Sequence, residues 1–157
     1  MTAVATAAVT LHPGDVACAA RGERFETLLG SCVAVVLTDP RRTVGAMCHI
    51  VHARPPMSCS NGKPGAHADG ALASMYTKLR WRGIEPRLCE AFVYGGGNMF
   101  PGVFTLHHVG DENVRWVLRA LAADGIPVRV HDHGGNTYRR LGWTVGPELP
   151  QVAAVSV

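Results

Sequence analysis

The chain has 157 residues, 47% of them apolar and 17% charged, which suits one domain able to bury about two-thirds of its unfolded surface. Its net charge of +3 is spread with no basic block longer than two residues, which argues against a nucleic-acid-binding stripe and leaves at most a mild preference for an acidic partner. Five cysteines, at 18, 32, 48, 59 and 89, are odd in number and lack CxxC spacing; they indicate neither a disulfide framework nor a zinc ribbon and fit reduced cytosolic thiols.

The first ten residues read as a frayed, flexible segment, and a single domain is expected over 11–157. "MTAVATAAVTLHPGD" has no cationic n-region, and no apolar run approaches the eighteen or so residues that span a bilayer, so a soluble cytoplasmic protein is expected. "DVACAA", "RGER" and "FETLL" have the pattern of a β-hairpin around a glycine-containing turn. "VAVVLTD" and "VGAMCHIV", joined by the Pro-led turn "PRRT", predict a second, antiparallel pair of strands. The Pro-, Gly- and Ser-rich segment from Ala53 to Ala68 is too long for a turn and is a candidate gate over a site.

Asp69 is a candidate cap for a helix whose apolar stripe is Leu72, Met75, Tyr76 and Leu79, ending at Gly83. "EAFVY" reads as a strand entering "GGGNMF". Asp111 then caps a second helix with Val114, Val117, Leu118 and Leu121 on one face and Gly125 at its end. "IPVRVHD", "YRRLGWTV" and "QVAAVSV" complete the strands. The sum is a single-domain α/β sandwich with a mixed, largely antiparallel sheet and two main helices, without a regular βαβ series.

A cysteine is most often a small buried hydrophobe. Cys32 stands apart because Gly30 and Ser31 precede it, allowing a tight turn and free N–H groups beside the sulfur, with Ser31 and Val33 as oxyanion candidates. A thiol nucleophile needs a base. His49 is the candidate, since Cys32 and His49 lie nearly symmetrically about the "DPRRT" turn and antiparallel pairing would bring them together. The bland alternative is a structural histidine in a half-buried strand.

"CHIVH" also raises a metal reading through Cys48, His49 and His52. Neighbouring side chains on a strand diverge, and only a distant ligand such as Cys59 would complete a zinc site, so no metal is expected. His131 and His133 share a strand face without a third ligand in view. "GGGNMF" lacks phosphate-loop spacing and reads as a glycine turn near a site, with Gly95, Gly96 and Asn98 as substrate-region candidates. Trp81, Trp116 and Trp143 are scattered and read as packing residues.

Taken in order, "TLLGSCVAVVLTD", "VGAMCHIVHARP", "YGGGNMF", "GDEN" and "HDHGGNTYRRLGW" resemble the bacterial chemoreceptor glutamine deamidases called CheD, over nearly the whole chain from about Leu11. The resemblance implies an α/β sandwich similar to the catalytic domain of cytotoxic necrotizing factor toxins. It also implies a Cys-His-Thr site that hydrolyses receptor glutamines to glutamate without a cofactor. By motif Cys32 takes the nucleophile's place, as a thiolate ion-paired with His49, and Thr27 that of the residue orienting the ring. Thr27 is chosen by residue type, because the spacing of some relatives would land on Glu26. Phe92 and Tyr94 depart from the family's usual lysine and phenylalanine, and the residues after His49 also differ. The implied partners are chemoreceptor cytoplasmic domains, with a chemotaxis phosphatase as the other partner a silent module of this fold would dock on. The alternatives are a catalytically silent binding module of the same fold, or an acyl hydrolase using the same dyad.

Overall fold

The computed structural model describes residues 7–53, 63–104 and 107–156. Among these residues nine strands and two α-helices run in the order β1 (Val9–Leu11), β2 (Val16–Ala20), β3 (Arg24–Leu29), β4 (Val33–Thr38), β5 (Val44–Ile50), α1 (Ala68–Trp81), β6 (Glu90–Gly95), α2 (Val109–Ala123), β7 (Val128–His133), β8 (Thr137–Thr144) and β9 (Gln151–Ser156). The expected α/β class with two main helices is present. Its strands are divided between two sheets, ordered β1-β3-β8-β9 and β2-β5-β4-β6-β7. Each sheet is mixed and largely antiparallel; only β1-β3 and β6-β7 run parallel.

The five-stranded sheet is the middle layer, which explains why β4 is buried at every residue. Val33, Val35, Leu37, Cys48 and Ile50 face the helices, where Leu72, Met75 and Leu79 of α1 and Val114, Val117 and Leu121 of α2 close the first core. Ala34, Val36 and Met47 face the other way, onto Phe25, Leu29, Leu141 and Trp143 of the four-stranded sheet. Trp143 stacks on Phe25 with ring centroids 6.3 Å apart and lies over Gly45, where any β-carbon would collide with its ring. The two helical stripes read from periodicity are therefore the faces that are packed.

The β4-β5 hairpin forms as expected, with Ala34 opposite His49 and Val33 opposite Ile50. The hairpin expected from 15 to 29 does not. β2 joins β5 in one sheet, while β3 joins β1 and β8 in the other. The connecting turn is a corner between layers: Arg21 donates its N–H to the Thr43 carbonyl, and Gly22, at φ +95°, donates to Val145. These bonds hold the turn to strand ends of both sheets, so its two arms separate. Strand pairing begins at Val9, two residues before the Leu11 boundary read from the sequence.

Both helix caps also lie ahead of the expected residues. His67 is the N-cap of α1, with Asp69 inside its first turn, and His108 caps α2 by accepting from the Asp111 N–H at 3.4 Å. Gly83 and Gly125, at φ +79° and +73°, follow the C-termini as expected.

Candidate active site

The nucleophile candidate lies where a loop enters the middle sheet. Cys32 precedes β4 by one residue and is half-buried against the inter-sheet core. Because Ala34 pairs with His49, Cys32 is the diagonal neighbour of His49 on the same face of the hairpin, a relation that places Cα atoms about 7–8 Å apart in a regular ladder and leaves longer side chains within reach. The alternation that brings these two together sends Cys48 into the helical core.

His49 is anchored through backbone and ring. Its N–H donates to the Asp15 carbonyl (3.1 Å) and its carbonyl accepts from Gly14 N–H (2.9 Å). On the ring, Nδ1 lies 2.7 Å from Thr27 Oγ1, and that hydroxyl donates to the Leu11 carbonyl at 2.8 Å. A hydroxyl has one proton; with it given to Leu11, Thr27 accepts from Nδ1–H. The neutral imidazole is thereby fixed with its Nε2 lone pair available as a base. Thr27 is 2% exposed and His49 3%, so the orienting hydrogen bond is shielded from water. Thr27 reaches the middle sheet from β3 of the other one, and the orienting contact is a bond between sheets.

Burial pushes the Cys32 thiol up from its ordinary 9.0. Burial likewise pushes the His49 imidazole down from 6.5, against smaller raising effects of the Leu11 carbonyl and Asp15. Both shifts disfavour the charged forms, because the half-buried position penalises thiolate and imidazolium alike.

The loop at 30–32 is held from two sides. Asn113, 1% exposed on α2, donates its side-chain amide to the carbonyls of Ser31 (3.3 Å) and Val51 (3.0 Å), tying the Cys32 loop to the chain just beyond β5. Gly96 and Gly97 donate N–H groups to the carbonyls of Cys32 and Gly30, both at 2.9 Å. Since the peptide is planar and trans, the Cys32 N–H points opposite to the Ser31 carbonyl that Asn113 holds. Val33 is fully buried and in register with Ile50 and Gly95, inside the sheet, whereas Ser31 and Cys32 stand in the loop before it.

The "GGG" run lies beneath this loop. A β-carbon at Gly95 would strike the Cys32 carbonyl, and one at Gly96, where φ is +65°, would strike the Val114 side chain and crowd the Gly110 carbonyl at 2.9 Å. Arg139, 5% exposed, completes the support by donating to the Gly95 carbonyl (3.3 Å) while pairing with Asp132 (3.2 Å). Asn98 shapes the following loop: it donates to the Phe104 carbonyl (2.6 Å) and accepts from Phe100 N–H (3.0 Å). Gly96→Ala is therefore expected to cost about 2–4 kcal/mol, combining a left-handed backbone with overpacking, and to lower the melting temperature by several degrees in a thermal scan.

Asn113 and Arg139 were visible in the sequence only as members of motifs; burial and distant carbonyl partners give them their roles. Among the described residues no group of three or more His, Cys, Asp or Glu side chains could hold a metal. His131 stacks on His133 at 4.9 Å and His52 on His67 at 5.7 Å. Cys59 lies outside the described residues.

A hollow of about 260 Å³ opens beside Ser31, walled by Gly97, Asn98, Met99, Phe100 and Tyr138. The family model described as CheD chemotactic sensory transduction matches residues 53–146. A probable chemoreceptor glutamine deamidase CheD of Pseudomonas fluorescens (strain SBW25) is 33% identical over 143 residues, covering 88% of this chain and 79% of that one. The chain belongs to the CheD family. The Albidiferax ferrireducens protein called probable chemoreceptor glutamine deamidase CheD 2 is 34% identical, covering 87% of this chain and 81% of its own. The Thermotoga maritima chemoreceptor glutamine deamidase CheD is 35% identical, with 74% and 72% covered. As in the sequence reading, no helix among the described residues is long and apolar enough to cross a membrane.

Proposed function

We propose that this CheD-family protein hydrolyses the side-chain amide of glutamines on chemoreceptor cytoplasmic domains, with Cys32 as nucleophile, His49 as base and Thr27 as the residue that orients it. The observation that carries the reading is the Leu11–Thr27–His49 hydrogen-bond chain, which leaves Nε2 unprotonated on the face shared with Cys32. His49 takes the thiol proton as Sγ attacks the carboxamide carbon, and the oxyanion is held at the loop by N–H groups of Ser31 and Cys32. Collapse breaks the C–N bond, and the same imidazole returns the proton to departing ammonia. Water, deprotonated by His49, then cleaves the thioester to leave glutamate and the thiol.

The surroundings suit a side chain carried by a protein. Leu28, Phe100, Phe104, Val109 and Tyr138 are all 45% or more exposed, and four of them line or adjoin the hollow beside Ser31, a concentration of apolar surface that favours protein docking over a small polar amide. A chemotaxis phosphatase is a second partner class for the same rim. Cys18, Cys32, Cys48 and Cys89 are free thiols, in keeping with a cytoplasmic setting.

The test is peptide mass spectrometry of a glutamine-bearing receptor fragment after incubation with the protein. Amide-to-acid conversion at defined glutamines is expected. A receptor set from the same cell left wholly unconverted by a well-folded protein would replace this reading with that of a silent binding module.

A further inference from the structure

The hollow beside Ser31 does not end at the nucleophile loop. Phe104, His108 and Val109 line both it and a second, larger groove of about 490 Å³ that continues along α2 past Trp116. The two form one trough. Its near end is acidic but engaged: Asp111 pairs with His108 at 3.2 Å, and Glu112 has a partner of its own. Its far end is basic. Arg115 and Arg119, one helical turn apart, are exposed, line the groove and have no ion pair among the described residues.

Unpaired guanidiniums along a groove that opens into a reactive site attract carboxylates, and their planar forks hold them in a defined register. Resting on the deamidase reading, we infer that the α2 groove selects substrate: it binds the receptor segment flanking the target glutamine, with Arg115 and Arg119 taking acidic side chains of that segment. At 1.5 Å per residue, Arg115 and Arg119 lie about 9 and 15 Å along the helix from Val109. With the glutamine level with Val109, where the groove meets the hollow beside Ser31, a helical substrate laid along α2 would present its carboxylates about six to ten residues from it. The apolar rim buries the neighbourhood of the glutamine; the arginines choose among glutamines by what stands beside them.

The experiment compares wild type with the charge-reversed double variant Arg115→Glu/Arg119→Glu. Both are assayed on one receptor fragment, and on a copy whose acidic residues six to ten positions from the glutamine are changed to their amides. For the native fragment, KM is expected to rise tenfold or more in the variant, and the wild-type KM to rise with salt while the variant's does not. Changing the carboxylates to amides should raise the wild-type KM by a similar factor and leave the variant little further affected. The rate of Cys32 alkylation by iodoacetamide, equal in both proteins, verifies that the nucleophile loop is intact. Equal KM values with an active wild type would overturn the groove proposal alone. A wild type inert on every fragment would overturn the deamidase reading, and this inference with it. Arg115→Lys/Arg119→Lys is expected to retain part of the selectivity, since the charge remains and the fork is lost.

Discussion

Cys32→Ala is expected to reduce glutamine conversion by roughly 10⁴-fold or more, to the level of the uncatalysed reaction, a loss of at least about 5 kcal/mol of transition-state stabilisation. The reason is chemical. The carboxamide carbon needs a nucleophile, and the position diagonal to His49 on the hairpin face holds only this thiol. Because Cys32 is half-buried at a loop, its loss should cost little stability, so the melting temperature should stay within a few degrees of wild type. Mass spectrometry of the receptor fragment together with a thermal scan decides the matter. Retained conversion in a folded Cys32→Ala protein would remove Cys32 from the nucleophile's role; lost conversion with a collapsed melting temperature would show a structural part instead.

How much of this was legible in the sequence depended on the range of the interaction. The β4-β5 hairpin, with its valine-rich arms and Pro-led turn, is local, and its register alone put Cys32 and His49 on one face. The stripes of α1 and α2 are local as well. The corner at Arg21–Glu23 was not legible, because its glycine-containing turn has the composition of a hairpin turn and differs only in its bonds to Thr43 and Val145, more than twenty residues away. The division into two sheets went unread for the same reason. Residue type under a family resemblance points to Thr27, but its contact with His49 exists because β3 lies in the other sheet and faces the middle one. Asn113 likewise takes its function from two carbonyls 82 and 62 positions away. The directions in which the Cys32 and His49 pKa values shift could not be read either, since they are set by burial and not by residue type.

Those shifts make the pH dependence of the His49→Gln variant informative. In the proposed mechanism the imidazole must be neutral to accept the thiol proton, and burial holds its pKa below 6.5. Activity is therefore expected to persist on acidification below the ordinary imidazole range and to fall only as the buried ring is finally protonated. His49→Gln should lower kcat by about 10²- to 10⁴-fold and abolish that acid limb. Its residual rate should climb toward and beyond pH 9.0, because the thiolate must then form by ionisation alone and burial has raised the Cys32 pKa. Stability follows the same groups with a definite sign. In the window below 6.5 and above the depressed folded value, the unfolded chain binds the extra proton at His49, so wild type loses stability as pH falls through it. Above 9.0 the unfolded thiol ionises before the folded one, so Cys32 withdraws stability as pH rises. Removing His49 should flatten the acid slope of the melting temperature while leaving the alkaline one in place. An acid limb that survived His49→Gln would assign the base to another group; one that vanished together with the acid slope in stability would trace both to a single buried ring, held by Thr27 across the two sheets.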